Sequence, residues 1–142
     1  LNIIREKVET IAAELEASKL QSAANTLVSL SRVGNQYLND KEPWKLLKTD
    51  PAKAGTIFYV AAQIVKALAV TSAPFMPNTA EQLWQTLGLT GSVHKAKWTD
   101  AITPLEAAHK IGTPKPLFNK IDADEKKLDE MLMAIREKKS AS

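Results

Sequence analysis

Asp50-Pro51-Ala-Lys-Ala-Gly-Thr-Ile57-Phe-Tyr-Val60-Ala61-Ala-Gln-Ile64-Val65-Lys-Ala-Leu68 reads as the start and body of a long helix. Asp is an N-cap that can satisfy a free amide, and Pro suits the first helical position, where no amide hydrogen is needed. Ile57, Val60, Ala61, Ile64, Val65 and Leu68 put apolar side chains on several sides, so this helix is predicted to be the central one of a bundle. Ser72-Ala-Pro74 ends it.

Helical spacing governs the flanks as well. Upstream, Ile4, Val8, Ile11 and Leu15 recur at steps of three and four among Arg5, Glu6, Glu9, Glu14 and Glu16, which predicts one buried face. After a short turn at 16–19, Leu20, Ala24, Leu27, Ser31, Gly34 and Leu38 form the expected stripe of a second helix. Gly34 costs that helix about 1 kcal/mol against Ala, which implies a close packing partner. Asn39-Asp40 marks its end, and Glu42 is pushed out of helical geometry by Pro43. Pro43 then opens one short turn to Leu47. Downstream, Asn78-Thr-Ala-Glu81 has the form of a capping box for a helix through Leu83, Trp84 and Leu87 to Gly88.

Residues 91–121 break this pattern with Pro104, Gly112, Pro114 and Pro116. They are predicted to form an irregular strap anchored by Val93, Trp98, Leu105, Ile111, Leu117 and Phe118. Asp122-Ala-Asp-Glu125 caps a C-terminal helix over 122–139, with Leu128, Met131, Leu132 and Ile135 on one face and Lys138 and Lys139 at its negative end.

The 142 residues, 44% of them apolar, suffice for one domain with a core. With no cysteine, disulfides and thiolate metal sites are excluded, which fits a cytoplasmic protein. No apolar run approaches the roughly 20 residues of a membrane span, and no signal-peptide pattern opens the chain. A start at Leu1 rather than Met marks the sequence as a fragment with material missing upstream. The net charge of +3 is uneven: residues 41–120 hold ten lysines against five acidic residues. Such an excess points to an anionic partner or to a lysine-rich solvated face.

Catalysis finds little support. His94 and His109 stand in no metal-ligand spacing, and no glycine-rich phosphate loop follows a strand. Glu14, Glu16, Asp129 and Glu130 read as solvated carboxylates, while Trp84 and Trp98 read as core and strap anchors. The segment Asn35-Gln-Tyr-Leu-Asn-Asp-Lys-Glu-Pro-Trp44 is different. Pro43 restricts the backbone before Trp44, so the ring is held either as a core plug or as a flat face for an unpaired base. Asn35 can hydrogen-bond a base edge, Tyr37 lies close by, and Lys41, Lys45 and Lys48 can meet phosphates. On the residues alone both readings stay open.

Three stretches carry a resemblance: Asn35-Gln-Tyr-Leu-x-x-x-x-Pro-Trp44; Pro74-Phe-Met-Pro77 followed by Glu81-Gln-Leu-Trp84-x-x-Leu-Gly88; and Val93-His-x-x-x-Trp98 running to His109-Lys-Ile-Gly-x-Pro-Lys-Pro-Leu-Phe118-x-Lys-Ile121. Together they resemble the C-terminal anticodon-binding domain of methionyl-tRNA synthetases, class I aminoacyl-tRNA synthetases, over about residues 35–121. The resemblance implies an all-α bundle spanning 1–142 that reads the CAU anticodon of methionine tRNA. Trp44 would be the stacking platform, Pro43 its support, Asn35 a polar reader, Tyr37 part of the wall, and Lys41 and Lys45 phosphate contacts. It implies a catalytic domain in the same chain, which would bind ATP and methionine. No cofactor is expected in this fragment, and neither DNA nor a membrane is an expected partner.

Two departures stand out. The family's Asn-x-x-x-Arg pair on an earlier helix has no equivalent upstream of Leu20, and its His-x-Gly-His and Lys-Met-Ser-Lys-Ser type signatures are absent, so the fragment itself carries no catalytic site. The alternatives are the matching domain of an isoleucine, valine, leucine or cysteine enzyme, against which the Asn-to-Trp spacing and the Pro-Leu-Phe strap argue, or a helical protein-interaction module.

Overall fold

The Asp50 carboxylate accepts the Lys53 amide at 3.0 Å, and Pro51 follows as the first helical residue, so the long helix begins where the Asp-Pro pair predicts. The computed structural model describes residues 2–106, 109–112, 116–118, 129–130 and 132–133. Its helices are α1 (Asn2–Glu16), α2 (Leu20–Lys41), the one-turn α3 (Pro43–Leu46), α4 (Pro51–Ser72) and α5 (Pro77–Thr86). Two 3-10 turns follow, Val93–Lys95 and Trp98–Ala101. Among the described residues there is no strand, and the expected all-α bundle is what forms.

α4 is the central helix. It packs against α1, α2, α3, α5 and the second 3-10 turn. Ala54, Ile57, Ala62, Ile64, Ala67, Ala69 and Val70 are buried along it. Contrary to the sequence expectation, its 22 residues are long and apolar enough to cross a bilayer, but 56% of that apolar stretch is buried inside the fold, while Phe58 stays exposed. Lys66, also buried, donates to the Thr103 carbonyl at 2.9 Å and so ties the strap to the core. Burial lowers the ammonium's pKa, against the pull of Asp100.

Ile4, Val8 and Ile11 form the buried face of α1, as their spacing predicts. Glu14 is not merely solvated: it accepts the hydroxyls of Ser22 and Thr26 and so pins α1 to α2, and these bonds lower its pKa. The stripe expected on α2 needs correction. Leu20 is 62% exposed, whereas Ala23 and Leu30 are fully buried beside Leu27. The reason is that α2 has two neighbours. Ala23 and Leu27 join Ile11 of α1, while Ser31, Gly34 and Leu38 face α4. A Cβ on Gly34 would lie 3.0 Å from the Ile64 methyl group, which is the close approach its presence implied.

The expected capping box of α5 does not form. Pro77 starts the helix one residue before Asn78, with Met76 as N-cap, so Glu81 lies too deep to reach back. Its carboxylate instead accepts the Ser92 hydroxyl at 2.8 Å and the Val93 amide at 3.0 Å. Trp84 is core and donates to the Thr90 carbonyl. Gly88 closes the turn after α5 at φ +69°, where a Cβ would also strike the Lys110 carbonyl oxygen.

The strap is held by buried Val93 and Leu105 and by Trp98, whose indole donates to the Val8 carbonyl at 3.2 Å. Two anchors fail: Ile111 is 52% exposed and Phe118 67% exposed. Leu117 is half-buried. Of the expected C-terminal helix, Asp129, Glu130, Leu132 and Met133 are helical, with Leu132 and Met133 exposed. Its cap at 122–125, and Leu128, Met131, Ile135, Lys138 and Lys139, lie outside the described residues.

Two tests follow from this packing. Leu30→Ala should cost about 2–5 kcal/mol of unfolding free energy, whereas Leu20→Ala should fall within about 0.5 kcal/mol of the parent, in urea titrations. Glu81 is held below its ordinary value, chiefly by the Ser92 hydroxyl bond. A depressed folded pKa stabilises above the unfolded value and is lost as pH falls through the folded one. Melting temperature should therefore fall on acidification below about pH 4.5, and Glu81→Gln should flatten that limb.

Candidate nucleic-acid interface

The site is built at the junction of α2 and α3. Glu42 belongs to both helices, as the last cap of one and the first of the other. The ring of Pro43 bars it from right-handed helix, and it turns into the left-handed region at φ 41° and ψ 54° rather than becoming extended. For a residue with a Cβ this conformation costs about 1–2 kcal/mol. Two bonds offset it: the Glu42 amide donates to the Leu38 carbonyl, and its own carbonyl accepts the Lys45 amide, both at 2.9 Å.

That turn decides which side chain goes inward. Pro43 is among the most fully buried residues of the chain, whereas Trp44 is 52% exposed. The core-plug reading of Trp44 is thereby removed. Leu47, three positions on and still helical, is 53% exposed. Trp44 and Leu47 share one face of this turn and offer solvent a continuous apolar surface beginning with an indole. Trp84 and Trp98 spend their indole N–H groups on backbone carbonyls within the fold.

The other expected members are arranged less simply. Asn35 is exposed and lines a shallow cleft of about 80 Å³ between α2 and α4, with Ser31, Gly34, Leu38, Ala61 and Ile64 among its walls. Tyr37 is half-buried on the same continuous helix. Two residues apart, these side chains point about 200° away from each other at roughly 3.6 residues per turn. They therefore face different sides of α2. Tyr37 shares its side of α2 with Lys41, four residues on, which is exposed.

Lys45 is exposed but not free of partners. Its ammonium lies 2.7 Å from the Glu42 carboxylate. Residues 35–50 carry Lys41, Lys45 and Lys48 against Asp40, Glu42 and Asp50, so this segment has no net formal charge. The basic excess of the middle block therefore lies elsewhere along the chain. Sequence reasoning missed both Glu42 and Leu47. The signal was there, since each stands three residues from a named site residue across a proline-initiated turn.

Among the described residues no group of three or more potential metal ligands occurs. The His109 imidazole meets the Leu87 carbonyl and fastens the strap to the end of α5. His94 lies 3.9 Å from the Glu81 carboxylate, which also accepts the Ser92 hydroxyl. What the geometry offers is a half-exposed indole on a one-turn helix, with Lys45 next to it in sequence, and a separate cleft between α2 and α4 lined by Asn35.

A family model described as the anticodon binding domain of methionyl tRNA ligase matches residues 1–136. The chain belongs to that family. Curated proteins named methionine–tRNA ligase align with it. That of Methanopyrus kandleri is 38% identical over 122 residues, covering 86% of this chain and 18% of that protein. That of Flavobacterium psychrophilum is 39% identical over 126 residues, covering 85% and 18%. That of Methanosarcina acetivorans is 30% identical over 144 residues, covering 98% and 20%. The anticodon-binding domain thus spans about a fifth of the length of the relatives it matches.

The burial contrast across the Pro43–Trp44 bond is directly testable. Trp44→Ala should change unfolding free energy by less than about 1 kcal/mol, because half of the ring is already in water. Pro43→Gly should cost about 1–3 kcal/mol through lost packing and a freer unfolded chain. Cooperative urea melts of the two variants against the parent measure both.

Proposed function

We propose that this domain recognises the CAU anticodon of methionine tRNA, with Trp44 as the surface on which an unstacked anticodon base lies. The observation that carries the reading is the half-exposed indole anchored by a fully buried proline. A ring held this way loses little conformational entropy on binding. Stacking on it supplies about 1–3 kcal/mol per base. Leu47 extends the same surface beneath a sugar or a second base. Asn35 faces the α2–α4 cleft and reads a base edge there, while Lys41, Lys45 and Lys48 meet the backbone.

In this reading the chain is the recognition part of a ligase that joins methionine to tRNA using ATP. Its work is binding. ATP and methionine would occupy the catalytic domain of the same polypeptide, and the setting would be the cytoplasm. The names of the relatives support this assignment, and so does the family to which the chain belongs.

The test is a titration of the chain with an anticodon stem-loop bearing CAU and with the same loop scrambled, following indole emission. Trp44→Phe assigns the signal among the three tryptophans. A perturbation selective for CAU and lost in Trp44→Phe is expected. Trp44→Ala should weaken CAU binding by about 5- to 150-fold, the equivalent of one stacked base. Equal responses to both loops, or binding insensitive to salt, would overturn the reading in favour of a protein-interaction surface.

A further inference from the structure

The lysine nearest Trp44 is already occupied. Lys45 follows Trp44 directly, and its ammonium lies 2.7 Å from the carboxylate of Glu42, which precedes Pro43. The Lys45 side chain is largely in solvent, 66% exposed, and that of Glu42 is partly so, 44% exposed. The backbone of Glu42 is fixed in the left-handed region by bonds on both sides, which keeps its carboxylate root at this corner. The other two acids of residues 35–50 sit differently. Asp50 caps α4 and accepts the Lys53 amide, and Asp40 is exposed one residue before the end of α2. Glu42 alone of the three is paired with a lysine of the site.

We propose that Glu42 is a specificity-determining residue: it holds Lys45 in an ion pair that an RNA phosphate must displace before that lysine contributes to binding. The inference rests on the anticodon reading given above and deepens it. An exposed pair of this kind is weak, so the exchange is readily made. Its consequence lies in what it withholds. A phosphate backbone without a stacking base finds a segment with no net formal charge, whereas a loop that places a base on Trp44 brings the phosphate to Lys45 with the stacking already gained. Removing the carboxylate frees one cation and removes one repulsion.

The experiment is a binding titration of the 142-residue chain and its Glu42→Gln variant, each with CAU and scrambled stem-loops, across a salt series. Glu42→Gln keeps the shape and the left-handed backbone while removing the charge. It should tighten the scrambled loop by about threefold and the CAU loop by less, so that selectivity falls, since an exposed pair is worth up to about 1 kcal/mol. It should also steepen the dependence of log K on log salt by about 0.7, the slope expected for one more phosphate contact on a single strand. Lys45→Gln should abolish this gain, so that Glu42→Gln made in that background matches Lys45→Gln alone. Unchanged affinity and slope in Glu42→Gln, with selective binding by the parent, overturn the inference and leave the anticodon reading standing. A gain that persists without Lys45 also overturns it, because the carboxylate then acts by bulk charge. No selective binding by the parent removes both.

Discussion

The structure depends on one constraint, the burial of α4, whose C-terminal half from Ala62 to Ser72 is almost wholly enclosed. A helix that is apolar around its circumference is stable in water only if several other elements cover it. In this chain α1, α2, α3, α5 and a strap turn do so. Everything near the site follows. α2 comes close because Gly34 leaves room for Ile64, and the α2–α4 cleft opens beside that contact. α3 must fold back onto α4 immediately after α2 ends, which forces a turn of one residue. Glu42 makes that turn in a strained conformation. With Pro43 inserted into the packed side, Trp44 is directed outward.

What was legible in the sequence was what depends on a single helix. Asp50-Pro51 gave the start of α4 because an N-cap is a local hydrogen bond. Ile4, Val8 and Ile11 gave the buried face of α1 because that helix has one main neighbour side. What failed required knowing a second partner. On α2 the buried side is shared between two neighbours, so a single stripe put Leu20 inside and left Leu30 out. Glu81 looked like a cap because its local spacing fits one, but the strap offered it the Ser92 hydroxyl and the Val93 amide. Ile111 and Phe118 were counted as anchors from their apolarity alone, and exposure is common for such residues.

The same division runs through the site. That Trp44 is held by Pro43 could be read from adjacency, because proline acts on its neighbours. Whether the ring faced inward or outward could not, because that depends on how α3 meets α4. Asn35 and Tyr37 were grouped by their proximity in sequence, although the helix already expected through both sets them on different sides. The positive block spanning residues 41–120 belongs to the chain as a whole and averages over a site that is itself balanced.

That balance bears on how such a surface discriminates. Phosphates are alike in every RNA, so a strongly basic patch binds all of them, and its affinity carries little information. A base stacked on a fixed ring requires an unpaired, extruded nucleotide, which duplex regions do not offer. On the proposed reading, with three lysines and three acids over residues 35–50, the ring and the edge contacts beside it carry the discrimination. On the anticodon reading proposed above, the strained turn at Glu42 serves recognition twice. It aims the indole into solvent, and it keeps an acid beside the lysine that would otherwise attract any nucleic acid.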